Sequence, residues 1–169
     1  VNLKLGAAVG IACLLLSGCF GSGAELSDSG KGLLTVSVEF PATSPAGSVQ
    51  TATIEVGNPG PGDIDVLAVT FATIGPAPGE RDLPKPIVWT GGAGGEHPDV
   101  VAIDPEPRAV SRDGIVYTFD GLAEGETRII TFELRVPDEP GTAANSLQVA
   151  DGRELDRGRG VRLTTVVGG

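Results

Sequence analysis

From residue 34 onward the chain repeatedly sets an apolar residue at every second position and then breaks the pattern with glycine and proline. Leu34, Val36, Val38 and Phe40 alternate with Thr35, Ser37 and Glu39. A period of two sends successive side chains to opposite faces of an extended backbone, so only a half-buried strand fits it. Ala52, Ile54 and Val56 repeat the pattern, which then stops at Gly57-Asn58-Pro59-Gly60-Pro61-Gly62. Prolines lack a ladder donor and glycines take positive φ, so that cluster is a turn. Residues 64–71 are apolar on both faces for part of their length, as in a strand with neighbours on both sides. Ile115, Tyr117 and Phe119 alternate again, and Ile130, Phe132, Leu134 and Val136 face inward from the longest regular run. Short β-type runs stand at 87–90, 100–103, 146–149 and 161–167. No window keeps a capped helical period, so the expected class is all-β, an antiparallel sandwich of eight or nine strands.

A different chemistry occupies residues 1–18. Lys4 provides a positive start, an apolar run covers 5–16, and Leu16-Ser17-Gly18-Cys19 follows. This is the pattern of a helical lipoprotein signal peptide: small residues fit a signal peptidase, and the Cys19 thiol accepts a diacylglycerol. The apolar run falls short of the roughly 20 residues needed to span a bilayer. The expected organisation is therefore a signal at 1–18, a lipidated cysteine with a flexible Gly/Ser-rich tether at 19–32, and one domain at 33–169. Two or three acyl chains on Cys19 anchor durably where one would not. The other cysteine, Cys13, leaves with the signal, so the remaining chain has no disulfide. The expected location is the outer face of a cell membrane or the outer membrane, facing the periplasm or the exterior.

Acidic residues outnumber basic ones 22 to 12. A net charge of −10 without a basic patch argues against nucleic acid and against anionic headgroups as charge partners.

Three stretches carry a family resemblance: QTATIEVGNPGPGDIDVLAVTF at 50–71, YTFDGLAEGETRIITFELRVP at 117–137, and GTAANSLQV at 141–149. Together they resemble the prokaryotic conserved-repeat domain of Ig-like fold, domain of unknown function eleven, found in cell-surface proteins. The resemblance covers about 33–149, with 161–167 as a candidate last strand and the Asn145-Ser146 pair as the lead into its final part. It implies an Ig-like sandwich with a structural or adhesive role and supplies no catalytic residue. This chain departs from the family in having one copy and a long insertion at 72–113. The physical reading of the second stretch is independent of the family. Gly121 and Gly125 bracket a turn between sheets, Leu122 plugs the end of the sandwich, and Glu124 and Glu126 keep that corner wet.

The candidates for chemistry are sparse. His97 is the only histidine; with Glu96 and Asp99 it offers too few ligands for a transition-metal site and no nucleophile for a triad. Asp63 and Asp65 at one turn, and Asp151, Glu154 and Asp156 at another, could offer oxygens to calcium, although no calcium-loop pattern is present. Solvated turns explain them as well. Trp89 fits a core position by its size, and with His97 it is the candidate contact for a partner or a glycan. No catalytic residue, resident metal or cofactor is expected. The insertion at 72–113 is the expected partner-reading surface, because loops on a rigid scaffold usually carry recognition. The expected role is a non-catalytic, lipid-anchored envelope protein that binds another envelope protein or its own copy. A carbohydrate- or peptidoglycan-binding module is the alternative.

Overall fold

The computed structural model describes residues 34–75, 83–90, 99–113, 115–155 and 158–168, together with the backbone of 24–27. Among these the strands are β1 (Ala24–Ser27), β2 (Thr35–Glu39), β3 (Thr43–Pro45), β4 (Val49–Gly57), β5 (Ile64–Ala72), β6 (Val100–Asp104), β7 (Ala109–Val110), β8 (Val116–Leu122), β9 (Thr127–Arg135), β10 (Gly141–Asp151) and β11 (Arg159–Gly168). One sheet has the order β2-β4-β9-β6 and the other β1-β11-β10-β5-β8-β7, with β3 also on β11. Both are antiparallel apart from the β3–β11 pair, and they pack face to face as an Ig-like β-sandwich.

Alternation fixes which side of each strand meets the core. Ile54, Val56, Ile130, Phe132 and Leu134 point inward from the smaller sheet, and the polar residues between them face out. Their register runs without a break from Val49 opposite Arg135 to Gly57 opposite Thr127. In the larger sheet β5 lies between β10 and β8, as its apolar character on both faces predicts. Phe132 then crosses the gap. Its ring sits 5.2 Å from both Phe71 on β5 and Tyr117 on β8, and 6.4 Å from Phe119, every pair edge to face. Such pairs add about 1 kcal/mol each beyond the area they bury.

The first part of the domain divides between the sheets. β2 pairs with β4, and after Pro41, which cannot donate to a ladder, the chain crosses over so that β3 runs parallel to β11. The buried Ser44 and Thr165 hydroxyls meet at 2.8 Å and fix that crossing.

Three expectations need correction. Residues 87–90 form no strand; they cross the end of the core as a loop. Residues 24–27, inside the expected tether, pair as β1 with β11 from Ala24 opposite Leu163 to Ser27 opposite Gly160. β11 has an open ladder edge there, and an extended segment satisfies it. The short strands β3 and β7 carry too few residues for a periodic signal. The total is therefore eleven among the described residues, more than the expected eight or nine. The signal peptide and Cys19 lie outside the described residues.

Two turns close one end of the sandwich. Asn58 is buried; its amide donates to Gly62 O at 2.9 Å and Leu122 O at 3.0 Å, and its Oδ1 accepts from Gly60 N at 3.0 Å. Its backbone N–H and C=O bond Glu126 and Gly125 of the facing turn. Gly60 has φ 86°, a conformation open to glycine at little cost. Gly121 is required for a different reason, since a Cβ there would stand 2.2 Å from Ile64 O. Leu122 plugs this end, as expected, with no exposed area.

Phe132→Ala should destabilise the domain by about 4 kcal/mol in urea unfolding, because three rings lose their common partner. Burial pushes the Tyr117 phenol up to about 12. The unfolded chain ionises first, so stability should fall as pH rises from about 10 to about 12, by on the order of 2 kcal/mol. Comparing unfolding of the parent and Tyr117→Phe across that window checks it: the substituted chain should lack that part of the decline.

Candidate functional site

The insertion begins where β5 ends. Ala72 stands opposite Ser146, yet β10 continues back to Gly141, leaving the stretch 142–145 without a ladder partner from β5. Residues 83–90 take that place. Lys85 N–H donates to Thr142 O at 3.0 Å, and Ala144 N–H donates to Lys85 O at 2.8 Å, a single parallel bridge. The Lys85 ammonium pairs with Glu139 on the loop between β9 and β10, and this holds the Glu139 carboxyl below the usual carboxylate range.

Asn145 does the rest. It is fully buried, and its Oδ1 accepts from Ile87 N at 2.7 Å and Val88 N at 2.8 Å. Its Nδ2 donates to Val88 O at 3.0 Å and Ala72 O at 3.2 Å. Two donors and two acceptor sites are all that an amide side chain has, so the group is saturated. Ile87 and Val88, both buried, thereby stopper the end of the core opposite Asn58. The Asn145-Ser146 pair, expected to lead into the last part of the fold, lies inside β10 instead.

The next residue faces out. Trp89 N–H donates to Asp99 Oδ2 at 3.2 Å, and Asp99 O accepts from Arg135 N at 2.7 Å, which ties the loop to the smaller sheet. Trp89 is 57% exposed, and Leu83 is 70% exposed. The core expectation for Trp89 is thus overturned: Ile87 and Val88 are small enough for the space between the sheets, and they fill it. Three successive N–H groups, those of Ile87, Val88 and Trp89, are held by side-chain oxygens, so the exposed indole sits on a fixed backbone.

The insertion also supplies both outer strands of one flank. β6 pairs with β9 with a register shift between Val100 and Ala102, and β7 is a two-residue strand on β8. Val101 and Val110 are exposed there.

The acidic turns lie at the opposite end. Asp63 Oδ1 accepts from Glu124 N at 2.9 Å, and Glu124 Oε2 accepts from Gly62 N at 3.0 Å. Arg153 stands 2.6 Å from Asp65, and Asp151 Oδ1 accepts from Arg153 N at 2.9 Å. The fold therefore brings Asp65 and Asp151 to one corner, with the Arg153 guanidinium on Asp65 and the Arg153 N–H on Asp151. Glu154 N–H bonds Asp151 O on the same turn. The backbone N–H of Ala123, then Arg128, hold the Glu126 carboxyl below its ordinary range. Among the described residues no three His, Cys, Asp or Glu side chains gather as metal ligands. His97, Asp156, Cys19 and the Leu16-Ser17-Gly18 motif lie outside the described residues.

No protein-family model matches the chain, and no curated protein does. Among solved structures, the chain is similar to the ASH/PapD-like domain of human CEP192 (PapD-like domain 7), at 12% identity and TM-score 0.35 over 99% of this chain and 97% of that one. It is also similar to the Pseudomonas fluorescens alkylpurine DNA glycosylase AlkC bound to DNA containing an abasic site analog, at 10% identity and TM-score 0.38, over 80% of this chain and 31% of that one.

Asn145→Ala leaves the Ile87 and Val88 N–H groups without acceptors and should cost about 3 kcal/mol. Amide exchange locates the effect: Ile87 and Val88 should exchange far faster than the β4–β9 ladder. Uniform acceleration across both sheets would show that Asn145 supports the whole core and not the loop.

Proposed function

We propose that this chain is a lipid-anchored, non-catalytic interaction module of the cell envelope, one Ig-like sandwich held through Cys19. The observation that carries the interaction reading is the construction of the insertion. It is pinned to the scaffold by Asn145 and Asp99, yet it turns Trp89, Leu83, Val101 and Val110 outward. Exposed apolar side chains on a fixed backbone bind with little ordering cost, which is how preorganised surfaces gain affinity. The Leu16-Ser17-Gly18-Cys19 motif carries the anchoring reading.

The β6–β7 flank suits a protein partner, another envelope protein or a second copy, because it offers two outer strands with Val101 and Val110 on them. The carbohydrate reading keeps one specific support, the exposed indole beside the Asp99 carboxylate, an apolar face next to a polar acceptor.

The test is covalent crosslinking in native envelopes with the full chain and with Val101→Glu/Val110→Glu. One discrete protein adduct, lost from the double variant while the fold is kept, is the expected result. Retention by wall polysaccharide with no protein adduct would replace it with glycan binding. Fatty-acid labelling of the parent and Cys19→Ala checks the anchor separately: label should appear on the parent alone.

A further inference from the structure

The direction of β1 says which end of the sandwich a lipid on Cys19 would hold against a bilayer. β11 runs from the acidic end, at Arg159, to the Trp89 end, at Gly168, where Ala46 N–H bonds Gly168 O. β1 is antiparallel to it, so the chain enters β1 from the Trp89 side, at Ala24 opposite Leu163. Five residue steps separate Cys19 from Ala24, a reach of at most about 18 Å. From Leu163 to Gly168 is also five steps, about 17 Å along the strand. An acyl group on Cys19 therefore reaches about as far as the Trp89 end of the domain and little beyond it.

That end carries Trp89 and Leu83, both exposed, beside the Asp99 carboxylate and the Lys85–Glu139 ion pair. The opposite end carries Asp63, Asp65, Glu124, Glu126, Asp151 and Glu154 against Arg128 and Arg153. Carboxylates are repelled from a bilayer whose surface is anionic and gain nothing from its acyl region. Tryptophan has the opposite preference, since its ring and N–H suit the boundary between headgroups and acyl chains, and leucine adds buried apolar area.

Resting on the lipid-anchor reading, we infer that the Trp89 end is the membrane-facing end, with the Trp89 indole and Leu83 seated in the headgroup region. The acyl chains and this pair form two contacts with one surface, so the second is made at the high effective concentration set by the short link. The β6–β7 flank, on a side of the sandwich, stays open to partners.

Trp89 is the only tryptophan, so the protein's indole emission reports this site alone. The protein acylated at Cys19, its acylation verified by mass, is reconstituted into phosphatidylcholine vesicles with and without lipid brominated near the headgroup end of the acyl chains. The expected result is emission at shorter wavelength and loss of most of it with brominated lipid. Leu83→Asp should weaken that quenching while keeping the fold. As an orientation control, Leu155→Trp combined with Trp89→Phe moves the indole to the acidic end, where it should remain solvent-like and unquenched. An acylated protein with unquenched Trp89 overturns the inference and leaves the anchor standing; stronger quenching at residue 155 than at 89 reverses the orientation. Absence of acylation removes the anchor reading and this inference with it.

Discussion

The sandwich depends on Phe132 meeting three rings of the facing sheet. The chain has few aromatic residues, and four of them are spent on this one contact across the core. It sits midway along the long β4–β9 ladder, so the contact fixes both the separation of the sheets and their relative position along the strands. Branched aliphatic residues fill the space around it, and the turns at either end inherit their spacing from it.

Each end is then closed by a buried asparagine. Asn58 joins two turns, and Asn145 joins an insertion to a strand. In both places the chain leaves the regular ladder with backbone groups that no strand pairs, and an amide supplies a donor and an acceptor from one planar group. An apolar residue of equal size would fill the space but strand those groups.

The core strands were legible because each buries one face and so writes a period of two into the sequence, as at Leu34–Phe40 and Ile130–Val136. β5 was legible for its apolar character on both faces. What the sequence hid was decided by tertiary partners. Residues 87–90 look like a strand because Ile87, Val88 and Trp89 are strand-forming types, yet β10 offers that segment one bridge and an amide, so it crosses the end of the core. The exposure of Trp89 follows from this crossing and leaves no local mark. β1 was hidden because its pairing depends on an open edge more than a hundred residues away. The acidic turns were visible as charge, but their pairing with backbone N–H groups and Arg153 depends on which loops the two sheets bring together.

The covering of β11 by two short strands has a consequence for how copies of the domain can meet. β11 would otherwise present a long row of unpaired backbone groups, but β1 covers its lower part and β3 its upper part. On the opposite flank, a register shift interrupts β6 and β7 ends after two residues. Neighbouring copies therefore meet no long, straight edge on either of these strands that could template a continuous sheet. Even at high concentration the domains can then lie side by side without joining into fibres.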